Sequence, residues 1–320
     1  MNVFRISHPH GSPEGENSTY VFPNRSVIID PGPPGERPWR RLCDGLSGHG
    51  LSVSDVRHII VTHWHADHAG LAPRLASTAD ATLHMHELDA PLVREYTSER
   101  TQRVERDKVT LERWGVPKTI RKKVSENDTP SPMPDRTPVT GHTDGDTIAG
   151  LTLRRTAGHT PGHLAVQAES TLYVGDTLLP MYTPNVGGSD TRTDGESPLE
   201  TYLDTLDDIS SWDVDQHARP GHGAVVSLPE RIETTRLHHW ERVRRAVESI
   251  PEDGHFTPWD VARVLFGEMS GIHVKMGAGE AAAHLEYAAS RDFVERVGSN
   301  PHSYRVTDLA VDAEEFGDRD

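Results

Sequence analysis

The segment Thr62-His63-Trp64-His65-Ala66-Asp67-His68 gathers three imidazoles and a carboxylate into six consecutive residues, 63 to 68. Nitrogen and oxygen donors of these types are what zinc accepts in open catalytic sites. In an extended or turning backbone His63 and His65 point the same way, while Asp67 and His68 address a neighbouring point, so one short loop can begin two metal sites. Further candidates recur downstream: His159 in Gly158-His159-Thr160-Pro161-Gly162-His163, Asp176 in Val174-Gly175-Asp176-Thr177, and His222 in Pro220-Gly221-His222-Gly223. Each follows a strand-like run and sits beside glycine, where backbone can approach closely. His163 suits a structural histidine or a support behind the ligands. His84 and His86 share an HxH spacing but read as a strand face, and His238 and His239 as helix packing or surface. No G-x-S-x-G or P-loop sequence competes for the site. The single cysteine, Cys43, rules out an internal disulfide and any Cys-rich zinc site.

Ligands at strand ends require strands to carry them. Ser26 to Asp30 is an apolar run stopped by Pro31-Gly32-Pro33-Pro34-Gly35, and His58 to Thr62 is a β-branched run that leads into the histidines. Leu151 to Arg155, Leu164 to Ala168 and Thr171 to Val174 supply strands in the second half, with helices over 38–50 and 198–210. Together these predict a mixed α/β sandwich. Residues 88–135 are charged and strand-poor, with apolar positions at helical spacing and prolines at 130, 132 and 134, which reads as a helical insertion. That insertion is either a solvated excursion or a lid beside the site. Beyond Gly223 the pattern predicts helices over 229–249, from Thr257-Pro258, and over 279–290, then strands over 293–297 and 303–306. Helix, helix, helix, hairpin is a winged-helix order. The expected division is 1–228, a winged-helix-like domain over 229–310, and an acidic tail over 311–320.

The order of these motifs resembles the metallo-β-lactamase superfamily: a strand-end acid, HxHxDH, a lone histidine, a bridging aspartate and a final histidine, spread across residues 26–223. The resemblance implies a four-layer αββα sandwich and two metal ions, most simply zinc, with iron or manganese able to occupy such N/O sites. Carried over residue by residue, it implies that His63, His65 and His159 hold one ion, that Asp67, His68 and His222 hold the other, and that Asp176 bridges them. Asp30 would support the ligand loop from behind and His163 is a weaker candidate for a similar role. Two such ions would hold a bridging hydroxide that attacks a carbonyl or phosphorus centre, with Asp67 able to orient it or take its proton.

Substrate class is narrowed by departures and by charge. Asp176 stands where many zinc β-lactamases carry cysteine, which disfavours antibiotic hydrolysis. The motifs at 158–163, 175–178 and 220–223 resemble hydroxyacylglutathione hydrolases, implying a thioester or ester substrate. The helical insertion and C-terminal helices resemble lactamase-β-like proteins, some of them single-strand endoribonucleases, which is the alternative; an iron-dependent persulfide dioxygenase is a minor one. With 33 basic and 49 acidic residues the net charge is -16, a poor match to a phosphate backbone. Residues 255–307 carry five basic and six acidic side chains, and the arginines at 231–245 interleave with glutamates, so a small molecule is favoured over nucleic acid. Only five of the basic residues are lysines; acid-rich and lysine-poor composition suggests adaptation to high salt. No run approaches the roughly 18 apolar residues of a membrane span, and no basic-then-apolar leader opens the chain, so the cytoplasm is the expected compartment.

Overall fold

Apolar runs of alternating orientation, bounded by turn residues, build two sheets. The computed structural model describes residues 2–12 and 14–307, and the acidic tail expected at 311–320 lies outside them. The first sheet runs in the order β1 (Phe4–Ser12), β2 (Gly15–Phe22), β3 (Val27–Ile29), β4 (His58–Ile60), β5 (Thr82–His86), β6 (Thr140–His142). Its first two pairings are antiparallel and the other three parallel. The second sheet contains β7 (Thr147–Ile148), β8 (Leu151–Arg155), β9 (Leu164–Ala168), β10 (Thr171–Gly175), β11 (His217–Pro220) and β12 (Val226–Ser227), hydrogen-bonded in sequence order. Only β10 and β11 run parallel there.

Alternation along β3 shows why the sheets stack. Val27 and Ile29 join Tyr20, Phe22 and Ile60 against Leu153, Leu164, Val166 and Tyr173 of the second sheet, whereas Ile28 faces away. On that other face Ile28, Ile59, Leu83 and Met85 pack against Leu42 and Leu46 of α1 (Glu36–Ser47) and Leu75 of α3 (Ala72–Ala79). Burial of each such aliphatic side chain contributes about 1.5–3 kcal/mol. Between β4 and α3 lies the single turn α2 (Ala66–Ala69). The result is the α/β sandwich expected from the sequence. The β1–β2 hairpin, β6, β7 and β12 have no counterpart in the sequence reading.

Residues 88–135 include α4 (Pro91–Arg94), α5 (Tyr96–Arg113) and α6 (Lys118–Asn127), and 128–135 follow without a helix. After α7 (Pro198–Ser211) come α8 (Leu228–Glu248), α9 (Pro258–Phe266), α10 (Ile272–Ser290) and the hairpin of β13 (Val294–Ser299) and β14 (His302–Val306). The start of α9 has the cap that its sequence announced: Asp260 N donates to Thr257 Oγ1, and Thr257 N donates to Asp260 Oδ2. Contacts group the chain differently from a division at 228. One compact unit comprises Met1–Thr101, Pro130–Pro184 and Asp208–Arg231; the other comprises Gln102–Thr129, Asn185–Asp207 and Ile232–Asp320. The second unit has its own core, in which Leu111, Trp114 and Val116 pack with Trp259, Val274, Ala278 and Ala282. Among the described residues no helix is long and apolar enough to cross a membrane.

Candidate metal centre

All the predicted site residues lie in the first unit, most of them beyond the C-terminal ends of strands, with His163 directly before β9. Asp30 follows β3, His63 to His68 follow β4, His159 follows β8, Asp176 follows β10 and His222 follows β11. Parallel pairing of β3 with β4 and of β10 with β11 brings the ends of each pair side by side. Asp30 has φ +48, a left-handed conformation unusual for a residue with a side chain. Its neighbours hold it there: Asp30 N donates to Ile60 O at 2.9 Å and Thr19 Oγ1 donates to Asp30 O at 2.5 Å. So fixed, the carboxylate accepts from Thr62 N and Thr62 Oγ1, both at 2.8 Å, and from His68 Nδ1 at 2.9 Å.

This one carboxylate therefore sets two tautomers. In the neutral ring, with its proton on Nδ1, His68 Nε2 is bare and faces Asp176 Oδ1 at 3.3 Å, Asp67 Oδ2 at 3.5 Å and His222 Nε2 at 3.2 Å. His63 Nδ1, 3.1 Å from Thr62 Oγ1, donates to that oxygen because the hydroxyl proton already goes to Asp30. His63 Nε2 is then bare and lies 3.0 Å from His65 Nδ1, which in turn lies 3.0 Å from His159 Nε2.

Three overlapping sets of donors result: His63, His65 and His159; His63, His68 and Asp176; and Asp67, His68 and His222. Within each set the donor atoms lie no more than 4.8 Å apart. Two nitrogens about 2.0–2.1 Å from one zinc ion at tetrahedral angles stand roughly 3.3 Å apart, so these spacings suit shared ions. Asp176 Oδ1 is buried and accepts no hydrogen bond, an acceptor that a cation would satisfy. The donor set thus fits two divalent ions. Glycines make room for it: a Cβ at Gly221 would fall 2.4 Å from Asp176 Oδ1 and 2.7 Å from His68 Cε1, and one at Gly175, where φ is +49, would fall 2.9 Å from His163 Cε1.

Electrostatics point the same way. Burial alone pushes the Asp176 carboxyl up, but His68 and His222 more than offset it and hold the group well below the usual carboxylate range. Burial likewise opposes charge on His68 and His222. The carboxylates of Asp176, Asp67 and Asp30 still raise His68 well above its ordinary value, and Asp176 and Asp67 lift His222 to about 9. His63 is held low by burial and by its imidazole neighbours His68 and His65. Acidic and imidazole groups therefore compete for the same positive charge, which a metal ion can supply after displacing the protons.

His163 does not face the other donors. Its Nε2 accepts from Asp176 N at 3.0 Å, and its Nδ1 meets the hydroxyls of Thr156 and Thr177 at 2.8 and 3.2 Å, so it props the backbone of Asp176. Two further residues enter that the sequence did not single out. Buried Asp89 accepts from Trp64 N at 3.3 Å, Thr160 Oγ1 at 2.7 Å and Gly162 N at 3.1 Å, pinning the His63–His65 loop to the His159 loop. Asn17, buried on β2, donates from Nδ2 to Asp67 Oδ2 at 3.0 Å. His84 and His86 lie on β5 as read; His84 contacts His58 and His142 at 3.1 and 2.9 Å and belongs to none of the three donor sets. His238 and His239 lie on α8, His239 Nδ1 being 3.1 Å from His284 Nε2.

Comparison with known proteins points to one family. The family model described as "Metallo-beta-lactamase superfamily" matches residues 11–215. "Probable metallo-hydrolase YqjP" of Bacillus subtilis is 24% identical over 314 residues, covering 92% of this chain and 94% of its own. "Probable metallo-hydrolase MJ0888" of Methanocaldococcus jannaschii is 25% identical over 209 residues, covering 65% and 88%. Among solved structures, metallo-beta-lactamase family protein TTHA1429 from Thermus thermophilus superimposes with a TM-score of 0.77 at 26% identity, covering 95% of this chain and 98% of its own.

Proposed function

The chain belongs to the metallo-beta-lactamase superfamily and is a metallo-hydrolase, and from that premise we propose that it uses two divalent ions to hydrolyse a small-molecule thioester or ester. The observation that carries the dinuclear reading is the overlap of the donor sets: His68 and His63 each belong to two of them, and Asp176 lies beside both His68 and His222. In this reading His63, His65 and His159 hold one ion, Asp67, His68 and His222 the other, and Asp176 serves both. Zinc suits this sulfur-free N/O set, as do iron and manganese. Bound there, such a pair supplies hydroxide at neutral pH and polarises the bond to be cleaved.

The chain's own groups do the rest. Asp30 keeps the His68 proton on Nδ1 and, through Thr62, the His63 proton on its Nδ1, so that both Nε2 atoms remain donors. Asp67 is the most open of the three carboxylates, its side chain 23% exposed against 7% for Asp176 and 4% for Asp30. Its Oδ2 faces the His68 and His222 nitrogens, and in this reading the carboxylate orients the attacking water or takes its proton.

Charge supports a small substrate over RNA. Along α8, Arg236 pairs with Asp207, Arg242 with Glu280, and Arg244 with Glu241 and Glu248, so these arginines are neutralised within the second unit. Single-strand RNA would call for unpaired basic groups. S-acyl thioesters and single-stranded RNA assayed side by side in high salt, with Asp176→Ala as the blank, decide the matter. Thioester turnover that vanishes in the blank is the expected result; RNA cleavage that vanishes there, without thioesterase activity, would reverse it.

A further inference from the structure

We propose that Asn17 is a positioning residue for one of the two metal positions, the Asp67–His68–His222 position, and that the His63–His65–His159 position does not depend on it. The inference rests on the dinuclear reading above. Asn17 Nδ2 lies 3.0 Å from Asp67 Oδ2 and 3.2 Å from Asp67 O. Both of those atoms are acceptors, so the amide can present only its NH2 group to them, and its orientation is fixed. The same nitrogen lies 3.5 Å from His222 Nε2.

The backbone makes the same connection. Asn17 forms an antiparallel bridge with His222, Ser18 N donates to Gly221 O at 2.7 Å, and Gly223 N donates to Glu16 O at 3.0 Å. β2 thus grips the segment on both sides of His222, and the Asn17 amide extends that grip to Asp67. Among the described residues, no hydrogen bond runs from the Asn17 side chain to His63, His65 or His159. Packing alone does not explain an amide here, because Asn17 Oδ1 is buried and accepts no hydrogen bond. A leucine of similar size would avoid burying that unsatisfied carbonyl. What leucine cannot do is donate to Asp67 Oδ2, the oxygen that faces the His68 and His222 nitrogens.

Removing a hydrogen-bond partner of a metal ligand costs about 10–100-fold in metal affinity. The test compares the wild-type chain with Asn17→Leu, which keeps the volume, and with Asn17→Ser, a small substitution whose hydroxyl is too short to reach Asp67. Each protein is loaded with Co(II) and titrated with a chelator, while ions retained per chain and the cobalt absorption bands are followed. Circular dichroism of the same samples reports folding. Wild type is expected to hold two ions. Both variants are expected to surrender one of them at roughly 10–100-fold lower chelator concentration, with the other held as in wild type. Folded variants that hold both ions as tightly as wild type, or lose both together, would overturn the role given to Asn17. A wild-type chain that binds fewer than two ions would instead overturn the dinuclear reading beneath it.

Discussion

At the scale of single residues, the centre depends on who owns each proton. Asp30 is the hub, because its two oxygens take protons from Thr62 and His68 and so leave bare nitrogens facing inward. Asp30→Ala should weaken divalent metal binding by about 10–100-fold in chelator competition and lower turnover in parallel; unchanged affinity would reduce Asp30 to a turn cap. The residues of the three candidate donor sets were legible in the sequence because their signal is local: ligand types packed into one loop, or a lone candidate beside glycine after a strand-like run. Asn17 and Asp89 carry no such signal. Asn17 stands 50 positions before Asp67, and a single amide or acid becomes informative only once the chain has folded it against a partner. His163 was legible as a residue of interest, but its part in holding Asp176 N depends on a contact that spacing does not encode.

At the scale of elements, strands and caps follow their local chemistry, whereas helix ends yield to packing. Reading α10 from 279 rather than from Ile272 follows from Gly277 and Gly279, which lower helix propensity by about 1 kcal/mol each. Within the second unit these glycines allow close approach: a Cβ at Gly279 would fall 2.4 Å from Gly188 Cα and 2.7 Å from Trp114 Cη2. Tertiary contact thus outweighs local preference. The same helix carries Glu286, whose carboxyl is raised to about 7, first by burial and then by Asp194, against the opposing pull of Arg296, the Gly195 amide and Arg113. A raised folded-state value means that protonated Glu286 favours the fold. Its contribution is complete below its ordinary value near 4.5 and is lost as pH rises through about 7. Thermal unfolding measured across this range should show Glu286→Gln to be more stable than wild type above pH 7, with a flatter dependence between pH 4.5 and 7. Parallel curves for the two proteins would show that Glu286 is not under this strain.

At the scale of the whole molecule, the sequence conveyed the sandwich and the presence of extra helices, but not how the helices are shared out. Helical periodicity locates α5, α6 and the C-terminal helices one by one; it says nothing of Leu111 and Trp114 joining Trp259 and Val274 in one core. A net charge of -16 sets the molecule against polyanions in general, while two dications among imidazoles and carboxylates would create a local positive centre that still attracts a polar carbonyl. The proposed activity therefore depends on bound metal. The most direct measurement is elemental analysis of the purified chain, carried out together with hydrolysis of an S-acyl thioester as a chelator strips the ions. About two divalent transition-metal ions per chain, with turnover falling to background as they leave, is the predicted result; full hydrolytic activity in a chain free of transition metal would contradict it.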